Sequence, residues 1–168
     1  MLRRIRLAVQ IVFFLIVAAL LYMYLPQHDI VRIVGTEIAR RDVSDATQTR
    51  TIDVRYIQAE TESGAVRVYR NEDTGLSFPF YFKYGTDSLQ AQAQSLVSNR
   101  DAPVWVVVTH YGLRSEMLTM YPNAVDLREA EGPGETIIPW FNIVFIAAMI
   151  GLVFYIRRWI LRRFRRAA

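Results

Sequence analysis

Two long apolar runs, each with arginines on its outer flank, constrain what this chain can fold into more than any other feature. "LAVQIVFFLIVAALLYMYL", Leu7 to Leu25, has Gln10 as its one hydrogen-bonding side chain ahead of two closing tyrosines. At about 1.5 Å of helical rise per residue it reaches roughly 28 Å, close to the hydrocarbon thickness of a bilayer. "IIPWFNIVFIAAMIGLVFYI", Ile137 to Ile156, is a second run of the same kind, with Asn142 as its amide. Tyr22 and Tyr24 close the first run, and Trp140 and Tyr155 sit near the ends of the second. Such rings favour the membrane–water boundary. Both runs are therefore expected to be transmembrane helices. Val17-Ala18-Ala19 has the form of a small-residue cleavage site, but apolar residues continue past it, which favours a retained anchor over a removed signal peptide.

The charges set the threading. Arg3, Arg4 and Arg6 precede the first run, and "RRWILRRFRR" follows the second, setting Arg157, Arg158, Arg162, Arg163, Arg165 and Arg166 around Trp159. Positive flanks stay in the cytoplasm, so both termini are expected there and residues 26–136 on the far side of the membrane. Ile156, Ile160 and Phe164 recur at helical spacing, as in a juxtamembrane helix lying against anionic headgroups. All 16 acidic residues fall between Asp29 and Glu135, where they outnumber the basic ones. The formal net charge of +4 thus belongs to the ends, and the acidic middle is a poor match for a phosphate backbone. Nucleic acid is not an expected partner. There is no cysteine, which excludes disulfides, thiolate nucleophiles and zinc–cysteine sites. All but one of the 20 basic residues are arginine, a bias read as compositional; Lys83 is the exception.

The exported segment reads as a small α+β domain of about six short strands and one helix, the strands closing partly into a barrel. "DIVRIVGTEIA", Asp29 to Ala39, is the first strand, with Gly35 a bulge or bend. Arg40 to Arg50 is polar and reads as a loop. "IDVRYIQAE" and "VRVYRNED" alternate apolar and polar residues about the Glu62-Ser63-Gly64 turn, as a hairpin does. In "FPFYFKY", Phe78, Phe80, Phe82 and Tyr84 would share one strand face, a core stripe or an exposed patch against lipid or a partner. A helix follows, with Asp87 as N-cap, Gln90 completing a capping box, and Leu89, Ala93, Leu96 and Val97 as its buried stripe. "PVWVVVTHY" is the best candidate for a strand covered on both faces, and short extended pieces follow around Pro122-Asn123. Residues 128–136 read as an acidic linker into the second span, which runs to 156, with the basic tail at 157–168.

Few residues in this domain carry a chemical signal. Asn71, Glu72 and Asp73 offer oxygen ligands for a hard cation, though the same residues at a strand end also make an ordinary turn. His110 ends the apolar strand beside Tyr111, where a histidine can be a base, a ligand or a structural hydrogen-bonder. The other histidine, His28, falls near the membrane boundary, too far along the chain to be expected as its pair. Arg70, Phe80 and Phe82 complete the set of candidate ligand- or partner-binding residues. No nucleophile motif or phosphate loop is present, so neither an enzyme nor a cofactor is expected.

The order "GTEIARR", "VYRNEDTG", "PFYFKYGTDSLQAQAQ", "VVVTHYGLR", "YPNAVDLR" resembles a family of small bacterial membrane proteins catalogued as domain of unknown function 1523. The resemblance implies a proteobacterial inner membrane, with the middle segment periplasmic, and brings no catalytic residue or substrate with it. The expected function is that of a non-catalytic accessory or assembly factor whose periplasmic domain binds another envelope protein. The alternative is a periplasmic module sensing a ligand or cation. Anionic headgroups at the cytoplasmic face are the other expected partner.

Overall fold

The computed structural model describes residues 2–44, 49–76, 81–115 and 117–167. Its contacts divide the chain into two units, Met1–Thr136 and Ile137–Ala168. The second unit holds a single helix, α3 (Trp140–Ala167), which continues without a break through the arginine-rich tail. The first opens with α1 (Leu2–Tyr24). Both α1 and α3 are long and apolar enough to cross a membrane, over Arg3–Tyr24 and Trp140–Arg163.

Among the described residues five strands, against the about six expected, close fully into a barrel in the order β1-β2-β3-β5-β4. They are β1 (Gln27–Ser44), β2 (Thr49–Glu60), β3 (Val66–Arg70), β4 (Trp105–Tyr111) and β5 (Asn123–Glu129). All neighbours are antiparallel except β3 and β5, which meet in parallel at Arg70 and Asn123. Two of the strands are not short: β1 has 18 residues and β2 has 12. The polar segment expected as a loop mostly extends this pair, since Arg40 to Ser44 face Asp53 to Thr49 in register. Residues 45–48 lie outside the description. β-branched and alternating residues on either side of the segment supply enough pairing to carry polar positions into the ladder. The register shifts between Ile33 and Gly35, so Gly35 marks a bulge as expected, and a second shift lies between Thr109 and His110.

Alternation fills the barrel. Val31 and Ile33, Ile57 and Ala59, Val106 and Val108, Tyr69, Ala124 and Leu127 are all buried together. α2 (Thr86–Ser95) packs Leu89 and Ala93 against them, with Leu96 partly buried, while Val97 is exposed. The helix start differs from the expected box. Gly85 takes the cap position with φ 86°, and Asp73, brought in from the loop after β3, accepts the Thr86 N–H at 3.1 Å. Asp87 instead pairs with Arg55 at 2.8 Å. "FPFYFKY" is not a strand over its described residues: Tyr81 to Tyr84 carry no regular structure, and Phe82 has φ 53°. The acidic linker is in part β5, and its remainder is tied by Glu135 to Arg128 and to the Glu131 N–H.

α1 and the barrel are joined without slack. Leu25 continues the helix by donating to the Leu21 carbonyl at 2.8 Å, Pro26 is buried, and β1 begins at Gln27. Gly112, just past β4, donates to the Met23 carbonyl at 3.2 Å.

Candidate functional site

The barrel end beside α1 gathers most of the residues the sequence singles out, in three layers. Innermost is His110. By alternation with Val106 and Val108 its side chain turns inward at the strand end, where its Nε2 stands 3.2 Å from Asp29 Oδ2. The Tyr69 hydroxyl donates to the same oxygen at 2.6 Å, and the Tyr69 and His110 rings lie 5.3 Å apart. Burial pushes the Asp29 carboxyl up, but the hydrogen bonds from His110 and Tyr69 outweigh it and leave the group below its usual range. The same burial, with the Asp29 charge beside it, pushes the Tyr69 hydroxyl up. His28 is closer than expected: it pairs with Thr109 on the neighbouring strand. Burial first, then the His110 charge, lowers its affinity for a proton. His110 Nδ1 is buried and unpartnered among the described residues. The set is a locked hydrogen-bonded cluster, each member oriented by the next.

The second layer is built around Asn71 and Lys83. Asn71 turns inward and donates from Nδ2 to the Thr86 carbonyl at 3.0 Å and to Gln90 Oε1 at 2.8 Å. Its Oδ1 accepts from Lys83 Nζ at 2.5 Å, and the same ammonium lies 3.5 Å from Asn123 Oδ1. Asn123 in turn bonds both backbone groups of Glu72, at 3.0 and 2.8 Å. Asp73 caps α2, and Glu72 pairs with Arg70 at 3.4 Å. Oxygen atoms that could have ligated a metal thus hold the chain's own cation and its own helix. Among the described residues no group of three or more His, Asp or Glu side chains could hold a metal. Lys83 is 5% exposed. Burial pushes its ammonium down to about 8, with the Asp73 and Glu72 carboxylates only partly offsetting it.

The outer layer is a cleft of about 270 Å³, lined by Met23, Arg70, Glu72, Tyr81, Tyr111 and Tyr121 among others. Tyr81 stacks on Tyr111 with centroids 5.2 Å apart and 16° between planes, and Tyr24 of α1 meets Tyr81 at 5.8 Å. Tyr121 stands edge-on to Tyr56 at 5.9 Å. Gly112 permits this arrangement: its φ is 98°, and a Cβ there would sit 3.0 Å from the Tyr81 hydroxyl. Burial raises the hydroxyls of both Tyr81 and Tyr111. Arg70 Nε is buried and unpartnered among the described residues. The rim is strained. Phe82 (φ 53°) and Thr119 (φ 50°) are the two positive-φ non-glycine residues described; Thr119 lines the cleft, and Phe82 lies between Tyr81 and Lys83.

Of the sequence candidates, the cleft brings together Arg70, Glu72 and Tyr111. His110 lies behind it, Phe82 stands exposed at its edge, and Phe80, with Phe78 and Pro79, is outside the described residues. Tyr81, Tyr121, Met23 and Gly112 were missed. A same-face reading of the aromatic stripe points Tyr81 away from the core and hides its role. The membrane-surface candidates Arg3, Arg4 and Arg6 lie on α1, and Arg157, Arg158, Trp159, Arg162 and Arg163 are exposed on α3. The Arg163 guanidinium sits 5.7 Å from the centre of the Trp159 ring. Arg165 and Arg166 continue α3, and their side chains lie outside the description.

These features define a small α+β protein: a closed five-stranded barrel carried on an apolar helix, with a tyrosine-lined cleft where the two meet. Residues 2–165 match the family model described as "Protein of unknown function (DUF1523)", and the chain belongs to that family. A Haemophilus influenzae protein described as "Uncharacterized protein" is 37% identical over 144 residues, covering 80% of this chain and 81% of its own. No solved structure matches.

Proposed function

We propose that this is a two-span protein of a bacterial inner membrane, with both ends cytoplasmic, whose periplasmic barrel recognises another envelope protein without catalysing a reaction. The arginines at the outer ends of both apolar helices and the acidic domain between them support the threading. The observation that carries the recognition reading is the cleft. At about 270 Å³ it falls just short of the roughly 300–1,000 Å³ usual for sites that enclose a small molecule. It is the size for one aromatic or arginine anchor of a partner, the kind of pocket that dominates protein interfaces. Stacked tyrosines supply the walls, and the Arg70–Glu72 pair supplies a polar end. The oxygen ligands that a cation sensor would need are engaged within the chain.

A photoactivatable residue at Tyr121, in intact cells at native abundance, tests the reading. A discrete adduct with another protein is expected there and not from Ser63 in the far turn. Equal labelling from both positions would sink it. The cysteine-free chain makes the threading separately testable. Ser63→Cys should react with a membrane-impermeant maleimide added outside the inner membrane, and Ala168→Cys should not.

A further inference from the structure

We propose that the loops bordering the cleft seat in the lipid headgroup layer of the leaflet from which α1 emerges, so that the cleft opens along the bilayer surface. The inference rests on the two-span reading and adds a second contact with the membrane, made by the barrel itself. The join between helix and barrel carries it. Two residues, both buried, separate the end of α1 from β1, and Gln27 Nε2 reaches back to the Tyr22 carbonyl at 2.9 Å. Gly112 is bonded to Met23, and Tyr81 packs on Tyr24, so the chain at both Tyr81 and Gly112 starts from the last turn of the helix. A helix that leaves the bilayer at Tyr22 and Tyr24 therefore delivers the chain at both residues to the interface.

What the chain exposes nearby suits that place. Met117 is 90% exposed and Leu76 77%, and Leu118, Phe82 and Tyr84 are exposed too. The turn at Leu76 is held to the 81–84 segment, where Thr74 and Gly75 both donate to the Lys83 carbonyl at 3.2 Å. Two cationic side chains close by are engaged within the chain: Lys83 in its buried network, and Arg114 on the Val66 carbonyl at 2.7 Å. Exposed apolar and tyrosine side chains together are the composition of an interfacial contact. The other end of the β1–β4 ladder is the opposite. There Arg32 and Arg100 both bond Glu60, beside the polar Thr61–Gly64 turn.

The test uses the full chain in vesicles of phosphatidylethanolamine and phosphatidylglycerol, with an environment-sensitive fluorophore on single cysteines. Labels at Met117→Cys and Leu76→Cys are expected to be quenched by headgroup spin-labelled lipid and to lose access to an aqueous quencher. A label at Ser63→Cys is expected to keep full aqueous access. Phe14→Cys reports on the span itself. If the Phe14 label is lipid-quenched while the Met117 and Leu76 labels match Ser63, the seating fails and the span stands. If the Phe14 label is itself open to water, the two-span reading fails and the seating with it. Shielding of Met117 in native membranes that is absent in pure lipid vesicles means a protein covers the rim, and also overturns the proposal.

Discussion

Phe82 and Lys83 are neighbours in the chain with their expected surroundings exchanged. Phe82 is 59% exposed and Lys83 5%. The left-handed backbone at Phe82 makes the exchange possible, because it breaks the two-residue alternation that would have carried Phe82 and Tyr84 inward together. On one side lies a floor in which Asn71, Lys83, Asn123, Gln90 and Thr86 hold one another. On the other lies a rim of strained backbone and uncovered apolar side chains. Both depart from what folding alone favours: a buried charge costs solvation, and exposed apolar surface forgoes burial. A rigid polar floor that holds a strained rim in place is what a preorganised contact site requires.

The floor offers the largest effect. Asn71→Ala would leave the Lys83 ammonium, the Thr86 carbonyl and Gln90 Oε1 short of a partner in a buried place. The expected loss is at least about 3 kcal/mol, because each such group costs about 1–3 kcal/mol and a charged one more. Urea unfolding of the full chain in detergent measures it. A loss no larger than that of a surface substitution would show that the network is not holding the site.

The second effect is a pH dependence of known sign. An unfolded lysine keeps its proton to 10.5, whereas Lys83 in the fold releases it near 8, as burial outweighs the Asp73 and Glu72 charges. Between those values the folded state binds fewer protons than the unfolded one, so stability rises with pH. The gain approaches about 3 kcal/mol over the full interval, at about 1.4 kcal/mol per unit. Tyr69, Tyr81 and Tyr111, all pushed up from 10.0, act against it: the unfolded tyrosines ionise first, and stability turns down above that pH. The rise from pH 8 is expected to vanish in Lys83→Met. A rise that survives that substitution has another source.

How far the sequence foresaw this divides along the same line. The apolar helices, the β2–β3 hairpin, the Gly35 bulge and the doubly buried β4 follow from periodicity, which reports burial directly. The length of β1 was missed because its tip is polar and pairs with another polar stretch, leaving no hydrophobic signature. For the site, Arg70 and Tyr111 were legible as chemistry beside a strand end. Lys83 was not, since a lone lysine among arginines looks compositional until a buried Asn71 is seen to receive it. Tyr81 was hidden by the turn at Phe82. Nothing in a phenylalanine announces a positive φ, because the surrounding contacts impose it.

Relief of the rim's strain gives a smaller effect of opposite sign. Left-handed backbone at a non-glycine residue costs about 1–3 kcal/mol, and glycine gives back up to about 1 kcal/mol in the unfolded chain. Phe82→Gly is therefore expected to stabilise the protein by about 1 kcal/mol while weakening the adduct formed from Tyr121. If the variant is less stable than the parent, the Phe82 ring is packed and belongs to the floor instead.

The smallest effect on stability is the sharpest on the comparison. Met117 is 90% exposed, so Met117→Ser should change unfolding in detergent by less than about 0.5 kcal/mol, as surface substitutions do. A rim built for contact must nonetheless register the change once its surroundings are restored. In cells the same variant is expected to lower the yield of the Tyr121 adduct, because a barrel less firmly seated beside α1 presents its cleft less often in one orientation. Equal adduct yield from parent and variant, at equal protein level, would mean that Met117 is exposed without use and that the rim ends at Thr119.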